Sequence, residues 1–435
     1  MNSTNESQTS MHSQRTTCAI AGGGPAGLVL GLLLARAGVK VTVLEKHADF
    51  LRDFRGDTVH PTTMSLLDDL GLFERFNELP QSRITEAQIT DENGEEVRMA
   101  DFTRLPLRHP YIAMVPQWDL LNLIAEAAAQ EPTFTLLTEH EVTGVVKEGG
   151  RVVGVEYFSP DGDGQLLADL TVACDGRWSA VRQSTDLPSK EFPVDFDVWW
   201  YRLPTTKKTA GSLLPRMKNG NAAIAIPREG YLQVAHIGRK GTDDAIRAKG
   251  IEAFRAQVAD LMPEFADSTK CLESMDDIKH LDVRLDRLRR WHESGVLCIG
   301  DAAHAMSPVG GVGINLAVQD AVATARLLAK RLAAGELNHS EGDRALPRVY
   351  RRRIVPTVIV QQMQRLLHSG VIMPALNGKN MTPSKQLSAV VKRIPALTAI
   401  PAFLVGVGPL PEKAPKWARR PTLNKRHEPE VAATR

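Results

Sequence analysis

Gly22-Gly23-Gly24-Pro25-Ala26-Gly27 satisfies GxGxxG, a spacing that lets a backbone cradle a pyrophosphate. The first glycine makes a tight turn and the second lets phosphates approach the main chain. The third lets a helix pack closely on a strand. That helix then offers free N–H groups and the positive end of its dipole to the anion. An acid about 20 residues on should bond a ribose. Glu45, followed by Lys46, lies 18 residues beyond Gly27. The motif points to a dinucleotide but does not separate NAD from FAD.

Two later constellations repeat this logic. Cys174-Asp175-Gly176-Arg177-Trp178-Ser179-Ala180-Val181-Arg182 follows a short apolar run. Gly300-Asp301-Ala302-Ala303-His304 follows another and leads into Pro308-Val309-Gly310-Gly311-Val312-Gly313-Ile314-Asn315. In the second, a strand end presents an acid, glycines let a ligand touch the backbone, and a helix begins. Its N-terminus aims partial positive charge at whatever lies there. That suits the N1–C2=O edge of a flavin, which becomes anionic on reduction.

The elements that must hold these residues are legible in outline. Residues 17–21 read as a strand, 27–37 as an apolar helix closed by Gly38, and 40–45 as a second strand. This βαβ opening implies a parallel sheet. Helical periodicity returns at 62–72 and 119–130, and 134–158 reads as a hairpin turning at Gly149 and Gly150. Several β-like runs fill 190–240, a helix follows at about 243–261, and a long helix covers roughly 312–333. The expected fold is α/β: a Rossmann-like nucleotide-binding domain in discontinuous pieces (17–185 and 280–350). A mostly β domain (186–279) is inserted into it. A helical C-terminal region (351–410) follows, with tails at 1–16 and 411–435.

Composition sets bounds on function. The 435 residues allow two or three domains. Lys+Arg 53 against Asp+Glu 51 argues against a nucleic-acid binder. The four cysteines at 18, 174, 271 and 298 form no metal-ligand spacing and no disulfide framework. They suit a reducing, cytoplasmic setting. Residues 1–15 lack the apolar core of a secretory signal. The longest uncharged apolar stretch, 394–410, is interrupted by Pro395, Pro401 and Pro409, so burial or a dip into a membrane surface is expected rather than a span. The apolar run and the basic tail, with seven Lys/Arg against three Asp/Glu, form a surface-anchoring pattern. A helix packed on the body of the protein is the favoured reading.

Taken in order, the three signatures resemble those of the class A flavoprotein hydroxylases, the FAD-dependent aromatic monooxygenases related to para-hydroxybenzoate hydroxylase. The resemblance covers residues 17 to about 330. It implies tight, non-covalent FAD, NAD(P)H as a transient cosubstrate, O₂, and no metal. Oxygen would reach an aromatic or other electron-rich apolar substrate through a flavin C4a-hydroperoxide.

The resemblance also assigns residues. The phosphate loop would be Gly22, Gly24, Pro25, Ala26 and Gly27, with Glu45 on the adenosine ribose beside Lys46. Arg55 and Gln117 match positions that contact the FAD. Asp175 and Gly176 belong to a motif associated with FAD and NAD(P)H, and Arg182 reads equally well as structural. Asp301 would hold the ribityl hydroxyls, and Gly311, Gly313, Ile314 and Asn315 would meet the ring. Pro308 would line the active site. His304 is expected near the cofactor as a helix-start residue, not as a base.

Trp199, Trp200, Tyr201 and His236 are candidate pocket residues. Strand alternation forbids Trp199 and Trp200 from both lining one cavity, and core packing is the stronger expectation for each. No substrate-activating base is identifiable. An FAD-dependent reductase of related fold, similar to a prenyl reductase, would use the same motifs. So would a degenerate FAD-binding protein. A flavin halogenase lacks support, because no WxWxIP segment occurs.

Overall fold

A computed structural model describes residues 13–51, 58–90, 95–206, 213–218, 220–379 and 385–421. Arg55 falls outside them. The elements that matter run as follows: β1 (Ser13–Ala21), α1 (Pro25–Arg36), β2 (Val41–Leu44), α2 (Pro61–Asp69), β3 (Ile112–Met114), α3 (Gln117–Ala129) and β4 (Phe134–Leu137). A hairpin, β5 (Glu141–Glu148) and β6 (Arg151–Ser159), leads to the long strand β7 (Gly162–Ala173). The segment β8 (Phe196–Pro204), β9 (Leu214–Lys218), β10 (Asn221–Pro227), β11 (Tyr231–Arg239), α4 (Gly250–Leu261) and β12 (Lys279–Leu281) follows. Then come β13 (Val296–Cys298), α5 (Gly313–Ala333), α6 (Pro347–Leu367) and α7 (Ala399–Gly406).

The first sheet has the order β13-β7-β1-β2-β4, and these strands pair in parallel. The β5–β6 hairpin is added antiparallel to β7. Register places Ala21 beside Leu44 and Ala173, and Ala173 beside Cys298. The strands therefore end together, and the three motifs emerge from one edge of the sheet. β1 begins at Ser13, earlier than expected, because its backbone pairs with β7 from Gln165 onward even where its side chains are polar. α1 is apolar nearly all round and is buried from Ala26 to Ala35, as a helix without a polar face must be.

The second sheet is antiparallel, in the order β9-β10-β11-β8-β12. Its two faces differ. Trp199, Tyr201, Leu203, Leu232 and Val234 pack against Phe254, Val258 and Leu261 of α4. Phe196, Val198, Ala235 and Ile237 pack instead against Val312 and Leu316 at the start of α5 and Val360 of α6. The helix expected over 243–261 breaks in two at Gly250, whose φ of +79° ends the first piece.

Residues 411–421 form a strap over α1 and α2. The Arg420 N–H bonds to Asp69 O at 3.1 Å, and the Arg36 guanidinium to Ala418 O at 2.9 Å. Upstream, Val390, Ile394, Ile400 and Phe403 are exposed. Among the described residues, no helix is long and apolar enough to cross a membrane.

Candidate functional site

At the tip of β1, Gly22 has φ +97°. A side chain there would place its Cβ 2.6 Å from the Cys174 carbonyl of the neighbouring strand end. A Cβ on Gly27 would sit 2.0 Å from Gly22 O, so this glycine lets helix and strand close up. Gly24 differs. It is the extended N-cap of α1, and a Cβ there meets nothing within 4 Å. The first turn of α1 has neither a side-chain cap nor an acid. Open space before uncapped amides is what a pyrophosphate requires.

Glu45 stands over the loop. It is buried, and its carboxylate accepts the Gly23 N–H at 2.9 Å and the His47 N–H at 3.1 Å. Lys46 next to it is exposed. The residues present fit a dinucleotide with its phosphates at Gly24.

Beyond β7, Asp175 accepts the Val181 N–H at 3.2 Å through one oxygen, while the other is buried with no hydrogen-bond partner among the described residues. Burial raises its pKa above the usual carboxylate range. Gly176 takes φ +84°. Arg182 pairs with Asp286 at 3.1 Å, which gives it a structural role. Arg177 reaches Asp301 at 3.5 Å and donates to Asp282 O at 3.2 Å. The second motif thus steadies the acid of the third.

After β13, Gly300 has φ +59° and donates its N–H to Asp320 at 3.2 Å. Asp320 is fully buried, accepts from His304 at 2.5 Å and Arg353 at 2.8 Å, and caps this turn from below. Burial alone would raise the Asp320 pKa, but His304 and then Arg353 more than offset it and hold it low. His304 is engaged with Asp320 beneath the turn, which gives it a supporting place. Asp301 stays part-exposed on the outer side.

Pro308 opens the next turn, with Gly310 at φ +80° and Gly311 at φ +63°. A Cβ on Gly311 would lie 2.4 Å from the Thr58 hydroxyl. Gly313 and Ile314 begin α5 half-buried. The Asn315 side-chain oxygen accepts from Thr62 at 2.7 Å and Thr63 at 2.9 Å, which ties the start of α5 to α2. α5, like α1, starts without a side-chain cap or an acid. Gln117 starts α3, half-buried. Beside it, Trp118 lies under the Arg202 guanidinium of β8 at 6.0 Å.

The four expected pocket residues separate. Trp199 is fully buried and donates to Asp243 at 2.7 Å. Tyr201 and His236 pack edge and tilt against Phe254 of α4, at 5.4 and 5.7 Å. These three occupy the core on the far face of the second sheet, because alternate residues of a strand point to opposite sides. Of the four, Trp200 alone faces the start of α5 and α6, together with Ile224, Val309, Met363, Met373 and Val405, all half-buried around the same cluster. A small cleft of about 20 Å³ opens between the start of α5, α6 and residues 404–411.

Sequence reasoning missed His60 and the buried cluster Asp320–Arg353–Glu412. His60 is fully buried, donates to Gly311 O at 3.0 Å and lies near the Val405 carbonyl. Its place directly before Pro61 and α2 was the available signal. Glu412, buried in the strap, pairs with Arg352 at 2.5 Å and Arg326 at 2.7 Å.

Burial lowers the pKa of His60, His236 and His368 to about 4 each. The unfolded chain takes up those protons near pH 6.5, before the native state does. Stability should therefore be unaffected by these groups above pH 6.5 and fall as pH drops toward 4, by about 1.4 kcal/mol per pH unit per histidine. Thermal unfolding at pH 7, 6, 5 and 4 checks this, with His236→Gln expected to give a shallower fall than wild type. A flat profile over this range would contradict the burial of neutral rings.

The chain matches the family model described as FAD binding domain over residues 15–344. It is 33% identical over 406 residues to 6-methylpretetramide 4-monooxygenase of Streptomyces rimosus, covering 88% of this chain and 91% of that protein. It is 27% identical to para-nitrophenol 4-monooxygenase of Pseudomonas sp. strain WBC-3, covering 69% of this chain and 75% of that one. Among solved structures, anhydrotetracycline hydroxylase OxyS of Streptomyces rimosus superposes with a TM-score of 0.69 at 24% identity, over 90% of this chain and 76% of that one. The myxobacterial chondrochloren halogenase CndH also gives 0.69, at 20% identity over 89% of this chain and 91% of that one. The fold is thus shared with halogenases.

Proposed function

The chain belongs to the FAD-binding family of flavoprotein monooxygenases, and from that premise we propose that it hydroxylates a polycyclic phenolic substrate with NAD(P)H and O₂. The observation that carries the proposal is the wall of half-buried Trp200, Ile224, Met363, Met373 and Val405 opposite the Pro308–Asn315 turn. A broad apolar wall with flexible methionines suits a flat, multi-ring molecule. The relative that shares a third of its residues with this chain is named for action on 6-methylpretetramide.

When bound, FAD supplies the redox chemistry and the oxygen transfer. The chain's residues do the rest. The Gly22–Gly27 loop, the amides opening α1 and Gly176 would hold the pyrophosphate, and Glu45 with Lys46 the adenosine ribose. Asp301, steadied by Arg177, and Gln117 would bond the ribityl chain. The backbone from Gly311 through Gly313, Ile314 and Asn315 would meet the ring, and the positive end of α5 would stabilise its reduced, anionic edge. Pro308 and the apolar wall exclude water, which favours productive oxygen transfer over release of H₂O₂. On this reading, 17–185 with 280–350 form the FAD unit and 186–279 the substrate unit.

Asp301→Ala should lower FAD retention about tenfold by removing charge-assisted hydrogen bonds. Flavin absorbance per protein after gel filtration measures it, and full occupancy would contradict the ribityl role. The hydroxylase reading is tested by NAD(P)H oxidation and product mass with tricyclic and tetracyclic phenols. Reduction of a substrate double bond without O₂ would favour the reductase class instead.

A further inference from the structure

The sheet face that packs on the Pro308–Asn315 turn carries two buried polar atoms that have no hydrogen-bond partner among the described residues. The Trp200 ring is half-buried, yet its Nε1 is fully buried and donates to nothing. Gln233 is 1% exposed. Its Nε2 donates to Tyr201 O at 3.3 Å, while its Oε1 is buried and accepts from nothing. The Tyr201 carbonyl can only accept, so this bond fixes which end of the amide faces the other way.

The two side chains share one face. Gln233, Ala235 and Ile237 alternate with Leu232, Val234 and His236, and Ala235 and Ile237 belong to the cluster at the start of α5. Trp200 pairs with Ala235, and Arg202 with Gln233, so Trp200 and Gln233 occupy neighbouring rows. Diagonal neighbours in an antiparallel pair lie within reach of long side chains. Ile226, opposite Gln233, packs with the cluster that also holds Val405. An unpaired buried donor or acceptor costs about 1–3 kcal/mol, so a donor and an acceptor left open on neighbouring rows of one apolar sheet face mark a place where a ligand completes them.

We infer that Trp200 and Gln233 set substrate specificity by reading a carbonyl and a hydroxyl on one edge of the polycycle, an inference that rests on the proposed function above. The indole N–H donates to the carbonyl oxygen, and the Gln233 amide oxygen accepts from the hydroxyl.

The test uses FAD-loaded protein and two probes, 1,8-dihydroxyanthraquinone and anthracene, which has the same three-ring frame without carbonyl or hydroxyl, with binding followed by the shift in flavin absorbance. Trp200→Phe and Gln233→Leu remove the polar atoms and leave apolar side chains, the first smaller and the second of similar size, and the apolar probe reads any loss of contact area. Each should weaken the dihydroxy probe about tenfold and leave anthracene within about twofold, while flavin content and melting temperature hold or rise. Equal weakening of both probes, or of neither, would overturn the assignment. Wild-type protein that binds neither probe would overturn the polycyclic reading itself, a result distinct from failure of the pair.

Discussion

Gly24→Val yields a folded protein that no longer retains FAD, with affinity down at least about 100-fold, or about 2.7 kcal/mol. The folded state bears little cost. Gly24 is extended, at φ −77° and ψ −174°, a region valine adopts freely. Its Cβ would meet nothing within 4 Å. The valine methyls would instead occupy the space before the α1 amides that a pyrophosphate needs. The neighbouring glycines provide the contrast. Gly22 at φ +97° faces Cys174 O, and Gly27 faces Gly22 O, so substitutions there disturb the fold itself. Flavin absorbance and circular dichroism on the same sample separate the cases. A folded Gly24→Val protein with full flavin content would remove the phosphate from this loop.

Asp320→Ala should destabilise the protein by about 3–5 kcal/mol, because it leaves a buried arginine without its carboxylate. Arg353 is 1% exposed and donates to Asp320 at 2.8 Å, and His304 donates to the other oxygen. The same carboxylate accepts the Gly300 N–H, so flavin retention should fall with stability. The pair Asp320→Leu with Arg353→Met, which removes both buried charges, should recover part of the lost stability. Urea unfolding followed by fluorescence measures both. A loss below about 1 kcal/mol for Asp320→Ala would mean that the ion pair does not anchor this turn.

The parts of the site legible in the sequence are those made by local geometry. A strand, a glycine turn and a helix start are short-range features, so Gly22–Gly27, Asp175-Gly176 and Gly300-Asp301 declared themselves by spacing. The resemblance of the three in order then gave the family, which the match over residues 15–344 supports. What could not be read depends on contacts across the chain. Asp320, Arg353 and Glu412 form a buried cluster only because α5, α6 and the strap pack together, and each alone reads as a surface charge. Alternation showed that Trp199 and Trp200 point apart, but which one faced the flavin unit depended on where α4 packed. Gln233 gave no signal, since an isolated glutamine in a strand reads as solvated.

Turnover of the FAD-loaded enzyme with NAD(P)H and a polycyclic phenol under ¹⁸O₂ probes the central claim most directly. The account predicts one ¹⁸O atom in the product for each NAD(P)H consumed, with little H₂O₂ released. Flavin that is bound and reduced while all the consumed oxygen appears as H₂O₂, whichever phenol is supplied, would contradict it.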